Sequence, residues 1–198
     1  MLTKTIIFDL GGVLVHLDWD GLCAPLATLS GWGADSVRAE AYGGAIVFEF
    51  MRGSIGPQEF HEAFCNKLGI VVSYDDFAGI WCALIGTKAS IIPLVERLRP
   101  GHRLVVASNT DQIHFAYTLR HVDVLRHFDR YFLSYEMGLL KPDPAFFRQV
   151  LQDLDTPPAD CIFIDDRPEN VESARGVGIT ALLFEGIERL QIDLDGAL

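Results

Sequence analysis

The stretch Ile6-Ile-Phe-Asp9-Leu-Gly11-Gly12-Val-Leu-Val15 decides how the rest of the chain is interpreted. A run of apolar, strand-forming residues leads into one carboxylate, Asp9, and two consecutive glycines then interrupt it. This pattern is typical of a buried parallel strand that ends in a polar side chain. Because ligands of open α/β sheets gather at the carboxyl ends of the strands, we predict that Asp9 lies at a functional site.

Length and charge limit the classes of protein that the chain can belong to. With 198 residues it is long enough for one large domain, or for a core that carries a smaller inserted domain. The 27 acidic and 16 basic side chains give a formal net charge of −11, which argues against nucleic acid or an anionic membrane as partner.

The sequence also carries signals of cellular location. No apolar stretch approaches the roughly 18 residues that a membrane span requires, and the N-terminus lacks the pattern of a signal peptide. The four cysteines, Cys23, Cys65, Cys82 and Cys161, are widely spaced and form no C-x-x-C pair, which favours reduced, buried side chains. We therefore expect a cytoplasmic protein that is a monomer or a small homo-oligomer.

After the two glycines and a short extended segment over Val13–Leu17, the sequence shows only helical periodicity as far as about Thr87. Helix-end signals divide this part: Gly53 after one helix, Pro57 at the first position of another, and Ser73 as an N-cap. The predicted helices lie near Leu22–Ser30, Ala34–Met51, Pro57–Leu68 and Tyr74–Ile85.

From Ser90 onward, predicted helices and strands alternate along the chain. The helices are Ile91–Leu98, Gln112–His121, Pro144–Leu154 and Pro168–Gly176, with a weakly helical C-terminus over Ile187–Leu198. The strands are Arg103–Ala107, Tyr131–Ser134, Cys161–Ile164 and Thr180–Phe184.

This alternation is typical of a parallel sheet with right-handed crossovers. The predicted fold is therefore a doubly wound, Rossmann-like α/β core formed by residues 1–15 and 88–198. A helical cap domain formed by residues 16–87 is inserted into it. The cap and the core would face each other across a cleft above Asp9, which is a common position for a small-molecule site.

Polar residues follow further strands of the predicted sheet. Ser108-Asn109-Thr110 and Asp165-Asp166 each come directly after an apolar strand, and Lys141 follows the short strand between them. Taken singly, the hydroxyls and carboxylates are explained as helix caps, and Lys141 as a surface cation. Taken together, three carboxylates form an all-oxygen site that suits Mg²⁺, because adjacent carboxylates in a cleft need a compensating cation.

Such a cleft offers what a phosphoryl group needs. A metal at Asp9 and Asp166, the lysine, and the hydroxyl and amide of Ser108 and Asn109 would neutralise and hydrogen-bond the phosphoryl oxygens. Asp9 would then accept the phosphoryl group and pass it to water, which divides one difficult displacement into two easier ones.

The sequence resembles the haloacid dehalogenase-like hydrolases across nearly its whole length. The four motifs that carry the resemblance occur in the family's order: Asp9-Leu-Gly-Gly-Val-Leu-Val, Ser108-Asn109, Lys141-Pro-Asp-Pro, and Phe163-Ile-Asp165-Asp166 followed by Asn170 and Ala174-Arg-Gly-Val-Gly178. The helical insertion is similar to the small cap of the subgroup that contains sugar phosphatases, phosphomutases and 2-haloacid dehalogenases.

The resemblance implies a role for each matched residue. Asp9 would be the nucleophile, and Asp9 and Asp166, with Asp165 beside it, would bind Mg²⁺. Ser108 and Lys141 would hold the phosphoryl oxygens, with Asn109 beside Ser108 in the substrate-binding set.

The first motif departs from the pattern of the family's phosphatases, which usually have a second Asp two residues after the nucleophile. Here that position is Gly11. Its backbone carbonyl can still bind the metal, but the general acid that protonates the leaving group is missing, and such a loss costs about 10²–10⁴ in rate. Three explanations stay open: a leaving group that needs little protonation, such as an anomeric phosphate; a surrogate acid, His16 or Asp18; or loss of activity.

Two further functions compete with a phosphatase. A 2-haloacid dehalogenase would use the same Asp9 nucleophile without the second Asp, but it needs no metal and leaves Asp165-Asp166 unexplained. The second competing function is that of a catalytically impaired module that binds metal or phosphate. The sequence thus favours a Mg²⁺-dependent phosphatase acting on a small phosphorylated metabolite, with a sugar phosphate as the expected substrate.

Overall fold

A computed structural model describes residues 4–198 and, for Ala89, the backbone alone. At its centre lies a five-stranded parallel sheet in which β1 occupies the middle position, with the order β5-β4-β1-β6-β7. Ile6 of β1 pairs with Leu104 on one side and with Ile162 on the other. The strands are β1 (Thr5–Phe8), β4 (Arg103–Ser108), β5 (Arg130–Leu133), β6 (Cys161–Asp165) and β7 (Thr180–Leu183).

Helices cover both faces of this sheet. Because side chains alternate along a strand, Ile6 and Phe8 of β1 belong to the hydrophobic core on one face, and Ile7 belongs to the core on the other. The helices of this part are α6 (Ile92–Leu98), α7 (Gln112–His121), α8 (Ser134–Met137), α9 (Pro144–Leu154), α10 (Pro168–Gly176) and α11 (Ile187–Ala197). The predicted doubly wound α/β fold is confirmed.

The segment inserted after β1 has a hydrophobic core of its own. Aromatic rings build much of it: Phe60 stacks on Phe50 with ring centroids 4.2 Å apart and also contacts Phe64, Phe77 and Trp81. Its helices are α1 (Trp19–Ser30), α2 (Ala34–Gly43), α3 (Ala45–Met51), α4 (Pro57–Leu68) and α5 (Tyr74–Cys82). We call residues 16–87 the cap region and the rest the core region. These boundaries stay a prediction, and residues 1–3 lie outside the described part.

A two-stranded antiparallel sheet lies where the chain passes between the two regions. It pairs β2 (Val15–Leu17) with β3 (Ile85–Thr87), so that His16 lies opposite Gly86. The helix predicted over Tyr74–Ile85 therefore ends early, at Cys82. Periodicity missed this strand because the pairing of β3 with β2, seventy residues away in the sequence, decides its conformation.

The structure differs from the sequence prediction in two further elements. The helix predicted over Ala34–Met51 is two helices, because Gly44 has an extended backbone with φ −63° and ψ 144°. A side chain at Gly44 would also meet the Glu40 carbonyl at 2.5 Å. The short helix α8 was not predicted.

The cysteine prediction agrees with the structure, since all four cysteines are buried and free. Within residues 4–198, no helix combines the length and the apolar composition that crossing a bilayer requires.

Candidate active site

The carboxyl ends of neighbouring strands bring the predicted site residues together. Asp9 follows β1, Ser108 ends β4 and Asp165 ends β6, while Lys141 reaches Asp9 and Asp165 from the loop before α9. Asp9, Asp165 and Asp166 each place a carboxylate oxygen within 4.8 Å of the others. This arrangement agrees with the expectation that the polar strand ends form one cluster.

Lys141 is the cation at the centre of the cluster. Its side chain is 1% exposed, and its Nζ lies 2.9 Å from Asp9 Oδ1 and 2.6 Å from Asp165 Oδ2. The alternative interpretation of Lys141 as a surface cation is therefore wrong. Burial alone would lower the pKa of Lys141, but the charges of Asp9 and Asp165 raise it above its ordinary value, so the side chain stays an ammonium ion.

Asp165 is fully buried, and both of its oxygens are engaged. Oδ2 accepts a hydrogen bond from Lys141, and Oδ1 accepts one from the backbone N–H of Arg167 at 2.9 Å. The amide nitrogen of Asn170, on the first turn of α10, lies 3.0 Å from both oxygens. Asp165 is thus held rigidly and in turn holds Lys141 in place.

Asp9 combines one engaged oxygen with one free oxygen. Oδ1 accepts hydrogen bonds from the backbone N–H of Leu10 at 2.7 Å and from Lys141. In the part of the chain that the structure describes, Oδ2 accepts no hydrogen bond. Burial and the neighbouring charge of Asp165 raise the pKa of Asp9 to about 7, against the lowering effect of Lys141.

Asp166 lies at the exposed edge of the cluster, against the backbone of Gly12. Gly12 has φ +77°, and a side chain there would place its Cβ 2.1 Å from Asp166 Oδ2. Glycine at position 12 is therefore required both by the backbone conformation and by the close approach of the carboxylate. Lys88 adds a contact that sequence reasoning missed, since its Nζ donates to the Gly12 carbonyl at 2.6 Å.

The loop Ser108-Asn109-Thr110 is fixed on several sides. The Asn109 amide nitrogen donates to the Lys141 carbonyl, and the Asn109 amide oxygen accepts from the Lys141 N–H, both at 2.8 Å. Ser134 bonds the backbone N–H and carbonyl of Thr110 at 3.0 and 2.9 Å. Asp111, and neither Ser108 nor Thr110, is the N-cap of α7, so the helix-cap explanation for those two hydroxyls is wrong.

Ser108 itself is buried, and its hydroxyl makes one long contact of 3.4 Å with the Asn109 carbonyl. That weak bond leaves the hydroxyl free to turn toward a ligand at the end of β4.

Gly11, where the general acid is missing, and His16, a candidate surrogate acid, lie in different surroundings. At Gly11 an added Cβ would meet the Leu17 side chain at 3.4 Å, which is an ordinary contact. His16 is exposed on β2, with Gly86 facing it, and among the described residues it shares no hydrogen bond or ion pair with the carboxylates.

A groove of about 770 Å³ lies elsewhere, between α5 and α7. Tyr74, Cys82, Ile113 and Tyr117 are among its lining residues, and neither Lys141 nor a member of the carboxylate cluster takes part in it. We place the candidate site at the sheet edge because its charged groups converge there.

Comparison with known sequences identifies the family of the chain. A family model described as haloacid dehalogenase-like hydrolase matches residues 3–178. The chain is 28% identical to a sesquiterpene phosphatase of Aspergillus oryzae, over 90% of this chain and 88% of that one. It is 22% identical to a D-ribitol-5-phosphate phosphatase of Bacteroides thetaiotaomicron, with 88% of each chain covered. A drimenol cyclase of Aspergillus calidoustus is 29% identical over 98% of this chain, which spans only 36% of that enzyme.

A solved structure shows the same architecture. A HAD family enzyme of Bacteroides thetaiotaomicron, crystallised in complex with magnesium and inorganic phosphate, superposes with a TM-score of 0.85 at 26% sequence identity. The alignment covers 94% of this chain and 98% of that one.

Proposed function

Because this chain belongs to the haloacid dehalogenase-like hydrolases, we propose that it is a Mg²⁺-dependent phosphatase that acts on a small phosphorylated metabolite through an aspartyl-phosphate at Asp9. The observation that carries the proposal is the cluster in which Lys141 contacts both Asp9 and Asp165, with the Asp166 carboxylate beside them. The phosphatases among its relatives and the structural neighbour crystallised with magnesium and phosphate support it.

In this proposal the free oxygen of Asp9, Oδ2, attacks the phosphorus atom, and the bond from phosphorus to the leaving-group oxygen breaks. Lys141 holds Oδ1 of Asp9, so the carboxylate is oriented before the reaction begins. The ammonium of Lys141, the Ser108 hydroxyl and the backbone beside Asn109 would stabilise the phosphoryl oxygens. A water molecule then attacks phosphorus, and phosphate leaves as Asp9 is regenerated.

The residues present fit a magnesium ion. Three carboxylates face one ammonium group in the cluster, and oxygen ligands are those that Mg²⁺ prefers. We propose that Asp9, Asp166 and the backbone carbonyl of Gly11 hold the ion. Asp165 stands beside them, and its oxygens already bind Lys141 and Asn170. When bound, Mg²⁺ would neutralise and polarise the phosphoryl oxygens.

Gly11 bears on the choice of substrate. Without a carboxylate at this position, a leaving group that departs with little protonation is favoured, and an anomeric sugar phosphate has this property. His16 is exposed, and its role as surrogate acid stays a prediction. The same holds for Asp18. The expected cytoplasmic location and the monomeric or small homo-oligomeric state also stay predictions.

The experiment that tests the proposal is release of phosphate from a panel of phosphorylated metabolites, comparing anomeric sugar phosphates with primary phosphate esters. Asp9→Asn should abolish hydrolysis of the best substrate with Mg²⁺ present, because the amide is not a nucleophile. Asp123→Asn, which removes an exposed carboxylate paired with Arg126, is the matched control and should retain activity. Turnover that survives Asp9→Asn would disprove the mechanism.

Assays on the same protein distinguish the phosphatase from two alternative functions. The absence of a second Asp at Gly11 also suits a 2-haloacid dehalogenase, for which halide release from a 2-haloacid without added metal is the measurement. An impaired module would show no turnover across the panel but would bind phosphate. We expect neither result, because the paired carboxylates and the free Asp9 oxygen are both explained by phosphoryl transfer.

A further inference from the structure

A buried network of Trp81, Asp111 and His114 joins the cap region to the core region. Trp81 lies on the last turn of α5 in the cap region, whereas Asp111 and His114 lie at the start of α7. All three side chains are buried. Asp111 directly follows the loop Ser108–Thr110, so the network begins where the candidate phosphoryl-binding loop ends.

Asp111 is saturated with hydrogen bonds. As the N-cap of α7, its Oδ1 accepts from the backbone N–H groups of Ile113 and His114, both at 2.9 Å. Its Oδ2 accepts from the indole N–H of Trp81 at 3.1 Å and from Nδ1 of His114 at 2.7 Å. Groups from α5 and from α7 therefore determine together where this carboxylate lies.

His114 is held with both ring nitrogens on acceptors. Nδ1 faces the Asp111 carboxylate, and Nε2 lies 2.8 Å from the main-chain carbonyl of Trp81. Since neither partner can donate, both nitrogens must carry a proton, and the ring is an imidazolium. Burial alone would lower the pKa of His114, but the charge of Asp111 and these hydrogen bonds raise it above its ordinary value of 6.5.

Asp111 also acts on titratable side chains of the neighbouring helices. The other titratable side chains near Asp111 are Tyr74 and Cys82 on α5 and Tyr135 on α8. Burial, aided by the negative charge of Asp111, raises the pKa of all three above their ordinary values, to about 11 for Cys82. These three side chains therefore stay neutral near pH 7, whereas Asp111 and His114 form a charged pair.

The other contacts that fix the loop come from the core region. Ser134 binds Thr110, and the backbone of Lys141 binds Asn109. Among the described residues, the Asp111 network reaches the cap region directly after the loop, and a second, longer hydrogen bond from Cys82 Sγ to the Ile113 carbonyl, 3.8 Å, joins α5 to α7 two residues further on. The position of α5 is therefore transmitted to the loop through Asp111.

We propose that His114 is a positioning residue: by joining Asp111 to the carbonyl of Trp81, it couples α5 of the cap region to the loop Ser108–Thr110. The loop's role toward the phosphoryl group rests on the proposed phosphatase function. The coupling itself is a property of the structure and can be tested without turnover.

The test compares three single substitutions in the full-length protein. Trp81→Phe removes the indole donor to Asp111 and keeps the carbonyl that binds His114, whereas His114→Phe removes both ring bonds. Phe77→Leu is the control, because Phe77 is a buried α5 residue that stacks on Trp81 and makes no hydrogen bond with Asp111. Each variant is measured at a temperature where its circular dichroism shows a folded protein.

Two readouts are taken: amide hydrogen exchange of the segment 108–111, and affinity for inorganic phosphate in the presence of Mg²⁺. Trp81→Phe should speed exchange in this segment and weaken phosphate binding, each by about 10-fold, and His114→Phe should do so more strongly. Phe77→Leu should lower thermal stability and leave both readouts near the wild-type values.

The outcomes distinguish the coupling of α5 to the loop Ser108–Thr110 from the proposed phosphatase function. Faster loop exchange in a protein that binds no phosphate would support the coupling and count against the phosphatase. Unchanged loop exchange in Trp81→Phe and His114→Phe, or the same change in Phe77→Leu, would overturn the coupling. Nitrogen-15 NMR of the His114 ring adds a signature: two protonated nitrogens at pH 7 are expected, and a neutral tautomer would overturn the assignment.

Discussion

At the scale of single residues, Gly11 has the most direct consequence for chemistry. Its position can accept a side chain, since the atoms nearest to an added Cβ belong to the Leu17 side chain, at 3.4 Å or more. Gly11 is also absent from the glycines with positive φ, so a larger residue meets no backbone strain there. The missing general acid can therefore be restored by substitution.

We predict that Gly11→Asp raises kcat on a primary alkyl phosphate by about 10²-fold, because the new carboxyl can protonate a poor leaving group. The effect on an anomeric phosphate should be much smaller. Gly11→Asn has the same shape but cannot transfer a proton, and it serves as the control. Equal rates for the two variants would show that general acid catalysis is not what position 11 lacks.

A second residue-scale consequence concerns the dependence of stability on pH. Burial alone would raise the pKa of Asp111, but the charge of His114 and the hydrogen bonds that Asp111 accepts lower it below its ordinary value of 3.8. The pKa of His114 is shifted in the opposite direction, above 6.5. Each shift means that the folded state stabilises the charged form.

His114 and Asp111 change the stability of the fold in opposite directions as the pH rises. The contribution of His114 is complete below pH 6.5 and is lost as the pH rises through its raised pKa; that of Asp111 is complete above pH 3.8 and is lost as the pH falls through its lowered pKa. We predict that Asp111→Asn lowers the free energy of unfolding by about 3–5 kcal/mol between these values. Urea denaturation at several pH values measures it, and a pH-independent difference would contradict it.

At the scale of elements, the turn between α3 and α4 brings the cap region into contact with the core region. Gly53, in this turn, has φ +71°, and a Cβ there would lie 2.1 Å from the Tyr135 carbonyl on α8. Gly69 at the end of α4 has nearly the same backbone angle, φ +69°, but nothing lies within 4 Å of its Cβ position. The two glycines form a matched pair.

We predict that Gly69→Ala costs about 1 kcal/mol in the free energy of unfolding, from the left-handed conformation alone. Gly53→Ala should cost more by about 1–3 kcal/mol, because the contact between α3 and α8 must open. Chemical denaturation of both variants gives the difference. Equal losses in the free energy of unfolding for the two variants would show that the turn can move away from Tyr135 without further loss of stability.

At the scale of the whole molecule, Mg²⁺ should stabilise the fold. The protein has a net charge of −11, and its carboxylate cluster gathers three acids around one lysine. A ligand that binds only the folded state raises the free energy of unfolding by about 2.7 kcal/mol at 100 times its Kd.

We predict that Mg²⁺ raises Tm and that a chelator reverses the rise. Asp166→Asn should remove most of the effect, whereas Asp123→Asn should keep it, and sodium chloride at equal ionic strength controls for general screening. Scanning calorimetry is the measurement. A Tm rise that persists in Asp166→Asn would place the ion elsewhere on this acidic surface.

The sequence by itself determined most of the helices and strands in their order along the chain, and the polar residues that follow the strands. Continuous apolar runs followed by polar residues are local patterns, and parallel strands place such ends along one edge. Asp9, Ser108, Lys141, Asp165 and Asp166 could therefore be named as the site before any contact was known.

Only the tertiary structure decided what each of these residues contacts. The pairing of β2 with β3, the bond from Lys88 to Gly12 and the link from Trp81 to Asp111 join residues far apart along the chain, the last two separated by 76 and 30 positions. No local pattern encodes such contacts, because they depend on how distant parts of the chain pack against one another. For the same reason, the sequence could place Asp9 at the candidate site, but only the fold shows that Lys141 holds one of its oxygens and that no described residue donates a hydrogen bond to the other.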